Sequence, residues 1–184
     1  MKQFSAQVNL GFDADMNIGV MRPCDKTKLG HFSYDHKYFN TRVIEFLLAR
    51  QIEISHFEVF YTPPHATLAI HADGSTLSNI VKINWVFGGK GSRMMWWKAK
   101  NDDAVKLLET NIGTSYLYAD QKNCVMVESA VISVPTLVNV GQLHSIINTG
   151  SEQRWCLSAV LAKVGADENL QWGEAIELLK GTLK

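Results

Sequence analysis

The sequence predicts a mainly β fold, a jelly-roll or barrel braced by helices. Three observations carry this. From Ile52 onward apolar residues fall in short runs with the alternation of strands, turn residues punctuate those runs at regular spacing, and amphipathic helical stretches stand before and after them.

The first clear element is a helix capped by Asn40 or Thr41, with Val43, Ile44, Phe46, Leu47 and Leu48 as its apolar face. Ile52–Tyr61 reads as a strand, broken by Pro63-Pro64, where no ladder donor is available. Ala66–His71 reads as a second strand, closed by Asp73-Gly74. Ile80–Phe87 and Met94–Ala99 flank Gly88-Gly89-Lys90-Gly91-Ser92 and are expected to pair as a hairpin. Asn101–Thr110 has the pattern of a short helix capped by Asn101, with Val105, Leu107 and Leu108 on its buried side. Strands are expected again at Thr114–Tyr118, Val125–Ser133, Leu137–Val140, His144–Ile147 and Arg154–Val164, and an amphipathic helix at Gln171–Leu179.

With 184 residues the chain is long enough to bury a core without a disulfide or a structural metal. It is expected to form one domain over 1–184, with the strand-rich core at about 52–164 and helical support at 40–51 and 169–180. Eighteen basic side chains balance eighteen acidic ones, so no overall field steers the protein toward nucleic acid or an anionic membrane. Cys24, Cys124 and Cys156 are widely spaced and odd in number, which fits reduced thiols better than a disulfide framework. No apolar run has the length of a signal-peptide core or a membrane span, and the expected location is the cytoplasm.

The chemistry begins at Leu68-Ala69-Ile70-His71-Ala72-Asp73-Gly74. Side chains two apart on a strand share a face, so His71 and Asp73 can bind one metal ion from one strand end. With a distant second imidazole they make the facial triad suited to Fe(II), which leaves coordination positions open. The pair alone says little: 6 His and 18 acids in this length give about 0.6 such matches by chance, and His56-Phe57-Glu58 is a second one. More specific is the stretch from Pro135 through Asn139-Val140-Gly141 to His144, followed by the turn Asn148–Glu152 and then Arg154. If Ile147 pairs with Gln153, His144 and Arg154 become diagonal neighbours on one hairpin face. A five-carbon dicarboxylate would then span from the metal to the guanidinium, whose planar fork suits a carboxylate.

These segments, Ile70–Gly74 and Asn139 through His144 to Arg154, resemble the Fe(II)/2-oxoglutarate-dependent oxygenase superfamily, in particular its small aspartyl/asparaginyl- and prolyl-hydroxylase-like members. The resemblance covers roughly Ile52 to Val164 and implies a double-stranded β-helix. It implies that His71, Asp73 and His144 bind Fe(II) and that Arg154 binds the remote carboxylate of 2-oxoglutarate. It further implies a dioxygenase that uses O2 to hydroxylate a C–H bond of a peptide or small-molecule substrate, forming succinate and CO2. Many relatives carry a serine two residues after that arginine. Here the position is Cys156 and the serine is Ser158, so Ser158 stands as the candidate cofactor-binding serine while the hydroxyl that assists Arg154 stays open. Asn84 resembles a polar residue that some relatives place near the co-substrate, and reads equally well as an outward strand residue.

Other features have plainer readings. The glycine-rich stretch 88–92 lacks the order of a phosphate-binding loop. Lys90, Arg93, Lys98 and Lys100, interleaved with Trp96 and Trp97, read as a solvated face over core tryptophans, and no nucleic-acid partner is expected. Cys156 has no orienting third group for a nucleophile. His31, His36 and His65 lie in loop-like sequence, at the surface or a substrate entrance. The competing class is a cupin-type β-barrel, an isomerase or binding module, that uses the same His/Asp/His set for another metal or none and has no need of Arg154.

Overall fold

The computed structural model describes residues 3–14, 16, 25–33, 35, 39–109 and 115–184. Two six-stranded antiparallel sheets carry the fold. The first has the order β1 (Ser5–Gln7), β10 (Thr136–Asn139), β5 (Val81–Gly88), β12 (Arg154–Lys163), β3 (Ile52–Thr62), β2 (Gly30–Ser33). The second runs β7 (Val105–Glu109), β8 (Ser115–Ala119), β4 (His71–Asp73), β11 (His144–Ile147), β6 (Arg93–Ala99), β9 (Cys124–Ala130). From β3 to β6 and again from β9 to β12 each successive strand changes sheet. This is a double-stranded β-helix, a cupin-like jelly-roll.

The alternation explains why β12 is buried nearly throughout. Its odd-numbered residues Trp155, Leu157, Ala159 and Leu161 pack outward into a core shared with α1 (Thr41–Leu48) and α2 (Trp172–Leu178). Its even-numbered residues Arg154, Cys156 and Ser158 line the cavity between the sheets. A strand covered on both faces has no solvent-facing half. Helix α1 starts where Asn40 accepts a hydrogen bond from the Arg42 backbone N–H, and it buries Val43 and Leu47. Among the described residues no helix is long and apolar enough to cross a membrane.

Four local expectations are corrected. Strands β5 and β6 do not form a hairpin, because the loop between them carries the chain from one sheet to the other. The same holds for β11 and β12, so Ile147 does not pair with Gln153: β11 lies between β4 and β6, and β12 between β3 and β5. The expected helix over Asn101–Thr110 is a 3-10 turn at Asp102–Ala104 followed by β7, which pairs with β8 and leaves Leu107 and Leu108 exposed. Ladder pairing over β7 overrides the helical spacing of its leucines; Thr110 and Thr114 lie outside the described residues. The second strand is His71–Asp73, and 66–70 holds to β11 by an isolated bridge at Thr67 and by Leu68 N–H donating to the Ile146 carbonyl.

Candidate metal centre and buried cavity

Register brings the candidate ligands together. His144 on β11 stands directly opposite His71 on β4, and Asp73 lies two residues along β4 on the same face. One ligand atom each from His71, Asp73 and His144 falls within a group no more than 4.8 Å across. The imidazole centroids are 4.3 Å apart, and His71 Nε2 lies 3.6 Å from Asp73 Oδ1.

Both histidines are oriented the same way. His71 Nδ1 lies 2.9 Å from the Ala69 carbonyl and His144 Nδ1 lies 2.9 Å from the Gln142 carbonyl. A carbonyl only accepts, so each Nδ1 donates its proton and each Nε2 keeps a lone pair for a metal ion. Burial, and next the neighbouring His71 ring, push His144 down from 6.5 to about 3, so it is neutral at ordinary pH. Burial alone would raise the Asp73 carboxyl. The Lys82 ammonium, followed by the His144 and His71 rings, outweighs it and holds Asp73 below the usual carboxylate range. Two imidazole nitrogens and one carboxylate oxygen are the kind of donor set a divalent metal ion takes.

The depressed His144 value has a consequence for the metal-free protein. Below pH 6.5 the unfolded chain takes up a proton that folded His144 refuses until about pH 3. His144 therefore contributes stability above its unfolded value, and that contribution is lost as the pH falls through this window, by up to about 1.4 kcal/mol per pH unit. Urea unfolding between pH 7 and 5 is expected to fall more steeply for the wild type than for His144→Gln; equal slopes would contradict this.

The two ligand-bearing segments are also clamped to each other. Asp73 N–H donates to the Val140 carbonyl at 2.9 Å, Ser78 N–H donates to the Gly141 carbonyl at 3.0 Å, and Gln142 Nε2 donates to the Ser78 carbonyl at 2.7 Å. Gly141 permits this approach, since a Cβ there would lie 2.7 Å from the backbone carbonyl carbon and oxygen of Ser78. Gly141→Ala is expected to push the 73–80 loop away from the turn before His144, at about 1–3 kcal/mol of stability. Metal affinity should fall with it, and a thermal melt with and without Mn(II) reads both.

The triad opens onto a cavity of about 240 Å³ between the sheets. Arg154 lines it, is 2% exposed, and has no carboxylate within ion-pair distance among the described residues. Its neighbours are Cys156, two residues along the same face, and Thr62 and Gly88, its partners on β3 and β5. Burial pushes the Cys156 thiol up, which suits a packed side chain better than a nucleophile. Gly89 (φ +57°) lies so close that a Cβ would come 3.2 Å from the Arg154 Cα. The glycine-rich stretch thus makes room for Arg154 and β12.

Asn84 faces the cavity rather than solvent, and its Oδ1 accepts a 2.6 Å hydrogen bond from Ser158 Oγ, its partner in register. Ser158 stands four residues from Arg154, about 13 Å along the strand. The hydroxyl in register with Arg154 is that of Thr62, which sequence reasoning missed.

Lys82 and Glu58 were also missed. Lys82 is 6% exposed, lines the cavity, and places Nζ 2.6 Å from Asp73 Oδ2 while pairing with Glu58. Glu58 Oε1 in turn lies 3.4 Å from His31 Nε2. His31 stacks on Phe60 and lines the cavity, which fits the entrance reading; His65 is exposed, and His36 and Cys24 lie outside the described residues. The chance-level motif His56-x-Glu58 splits, with His56 exposed and Glu58 turned into this network. Trp96 is buried with its indole N–H on the Asn139 carbonyl, and Trp97 bonds Ser145, so these rings serve packing between strands.

The sequence matches no protein-family model and no curated protein. In structure the chain is similar to ycfD of E. coli at 13% identity and a TM-score of 0.36, over 58% of this chain and 26% of that one. It is similar to oxalate oxidase in complex with the substrate analogue glycolate at 14% identity and a TM-score of 0.38, over 94% and 75%. A third likeness is to the non-heme monooxygenase ThoJ in its apo form, at 13% identity and a TM-score of 0.31, over 72% and 58%. The chain therefore spans about a quarter of the length of ycfD and three quarters of that of oxalate oxidase.

Proposed function

We propose that the protein is an Fe(II)- and 2-oxoglutarate-dependent dioxygenase that hydroxylates a C–H bond of a peptide side chain, an amino acid or another small molecule. The observation that carries this reading is Arg154: a guanidinium buried without a carboxylate partner among the described residues, in the cavity onto which the His71, Asp73 and His144 cluster opens. Burying an unpaired charge is expensive, and a dicarboxylate held at the metal supplies the missing partner.

In this reading His71, Asp73 and His144 hold the iron through Nε2, Oδ1 and Nε2. With iron and co-substrate bound, the site inserts one oxygen atom of O2 into a C–H bond while 2-oxoglutarate becomes succinate and CO2. The chain's own residues bind, orient and exclude water. Arg154 receives the remote carboxylate through parallel N–H donors, and the Thr62 hydroxyl stands beside it. Asn84 and Ser158 satisfy each other within the cavity wall, leaving further Asn84 donors to face its contents. Phe60, Leu68, Met94 and Ile146 complete an apolar lining that keeps water from the reacting centre.

Succinate release from 2-oxoglutarate in the presence of Fe(II) and O2 tests the reading. Iron-dependent succinate is expected even without the prime substrate. No succinate, and no 2-oxoglutarate binding to the iron-loaded protein, would favour the cupin-type class, which makes the same use of the triad and none of Arg154.

A further inference from the structure

The two oxygens of Asp73 have different surroundings. Oδ1 faces the metal cluster, 3.6 Å from His71 Nε2, whereas Oδ2 lies 2.6 Å from the buried Lys82 Nζ. Lys82 is itself braced by Glu58 from β3, and His31 from β2 touches the outer oxygen of Glu58. The row crosses the first sheet from its edge and ends on a single ligand oxygen in the second. The strands that supply Glu58 and Lys82 are tied through β12, since Glu58 is paired with Ser158 and Lys82 with Val160.

A carboxylate can bind a divalent ion through one oxygen or through both. If both oxygens bind, only two of six positions remain, and a chelating keto acid and O2, which together need three, must compete with the second Asp73 oxygen. We propose that Lys82, braced by Glu58, is a positioning residue that holds Oδ2 of Asp73 away from the metal, so that the ligand offers Oδ1 alone and three positions stay open, two neighbouring ones for chelation by a 2-oxo acid and a third for O2. This rests on the oxygenase reading and adds to it a residue outside the triad that decides how the triad binds.

The test separates metal binding from keto-acid binding. Wild type, Lys82→Met, Lys82→Arg and the charge-neutral double variant Glu58→Gln/Lys82→Met are titrated with Co(II), and then, loaded with Fe(II) under anaerobic conditions, with 2-oxoglutarate, read by the visible charge-transfer absorption of a chelated 2-oxo acid. Lys82→Met and the double variant are expected to keep Co(II) affinity at or above that of the wild type while 2-oxoglutarate affinity falls about 10- to 100-fold. Lys82→Arg should recover most of it. A parallel loss of metal and keto acid, as a merely structural role would give, overturns the proposal, and so does unchanged keto-acid binding.

The double variant guards against misfolding, because it leaves no stranded carboxylate at position 58. A crystal structure of the Co(II)-loaded wild type provides an arm that needs no variant: one oxygen of Asp73 on the metal and the other on Lys82 supports the proposal, and both oxygens on the metal overturn it. Failure of the oxygenase reading looks different, as wild type that binds metal but never 2-oxoglutarate.

Discussion

Arg154→Ala is expected to weaken 2-oxoglutarate binding to the iron-loaded protein by about a hundredfold or more. Removing one partner of a buried ion pair costs roughly 3–5 kcal/mol, and about 1.4 kcal/mol is a factor of ten in affinity. Without 2-oxoglutarate the reverse is expected. There Arg154 is a buried charge with no carboxylate partner among the described residues, so its removal relieves a desolvation penalty. The metal-free variant should melt at the same temperature as the wild type or higher. Arg154→Lys keeps the charge but loses the two-pronged geometry and should fall between the two in affinity. A variant that is less stable and binds 2-oxoglutarate normally would mark Arg154 as a packing residue.

His144→Ala carries the second large effect. The three proposed ligands sit on two adjacent strands, and His144 is the one supplied by β11. Its loss leaves a pair from one strand end, which cannot enclose an ion. Wild type at a Mn(II) concentration a hundred times its dissociation constant gains about 2.7 kcal/mol of stability. The variant is expected to gain nothing measurable at that concentration and to release no succinate. Because a buried imidazole is being removed from beside another, the metal-free variant should remain folded at pH 7. Retention of the Mn(II)-dependent shift would remove His144 from the ligand set.

How far the sequence anticipates this structure depends on what each pattern encodes. Strands β3, β5, β11 and β12 follow from local alternation and turn residues, and their bounds differ from the expected ones by a residue or two. Their partners do not follow. A short loop between two strands reads the same whether it closes a hairpin or carries the chain to the facing sheet, and in a double-stranded β-helix most loops do the latter. His144 and Arg154 therefore share a cavity for a reason other than the hairpin: they come from opposite sheets and point inward toward each other's layer.

Lys82 was illegible because lysine on a strand normally signals solvent. The available sign was its setting in Val81-Lys82-Ile83-Asn84-Trp85, a tract apolar on its odd positions and polar on its even ones within an otherwise buried strand. There the polar face is the cavity. Glu58 was hidden by a motif that chance supplies, since its value lies in reaching Lys82 and has nothing to do with His56.

The triad and Arg154 are expected to serve one ligand. Anaerobic titration of the Fe(II)-loaded protein with 2-oxoglutarate measures this. One equivalent should saturate a visible charge-transfer absorption that is absent without iron, is lost in His144→Ala, and needs at least about a hundredfold more 2-oxoglutarate in Arg154→Ala. Iron bound at His71, Asp73 and His144 with no such absorption, or an absorption indifferent to Arg154, would contradict it.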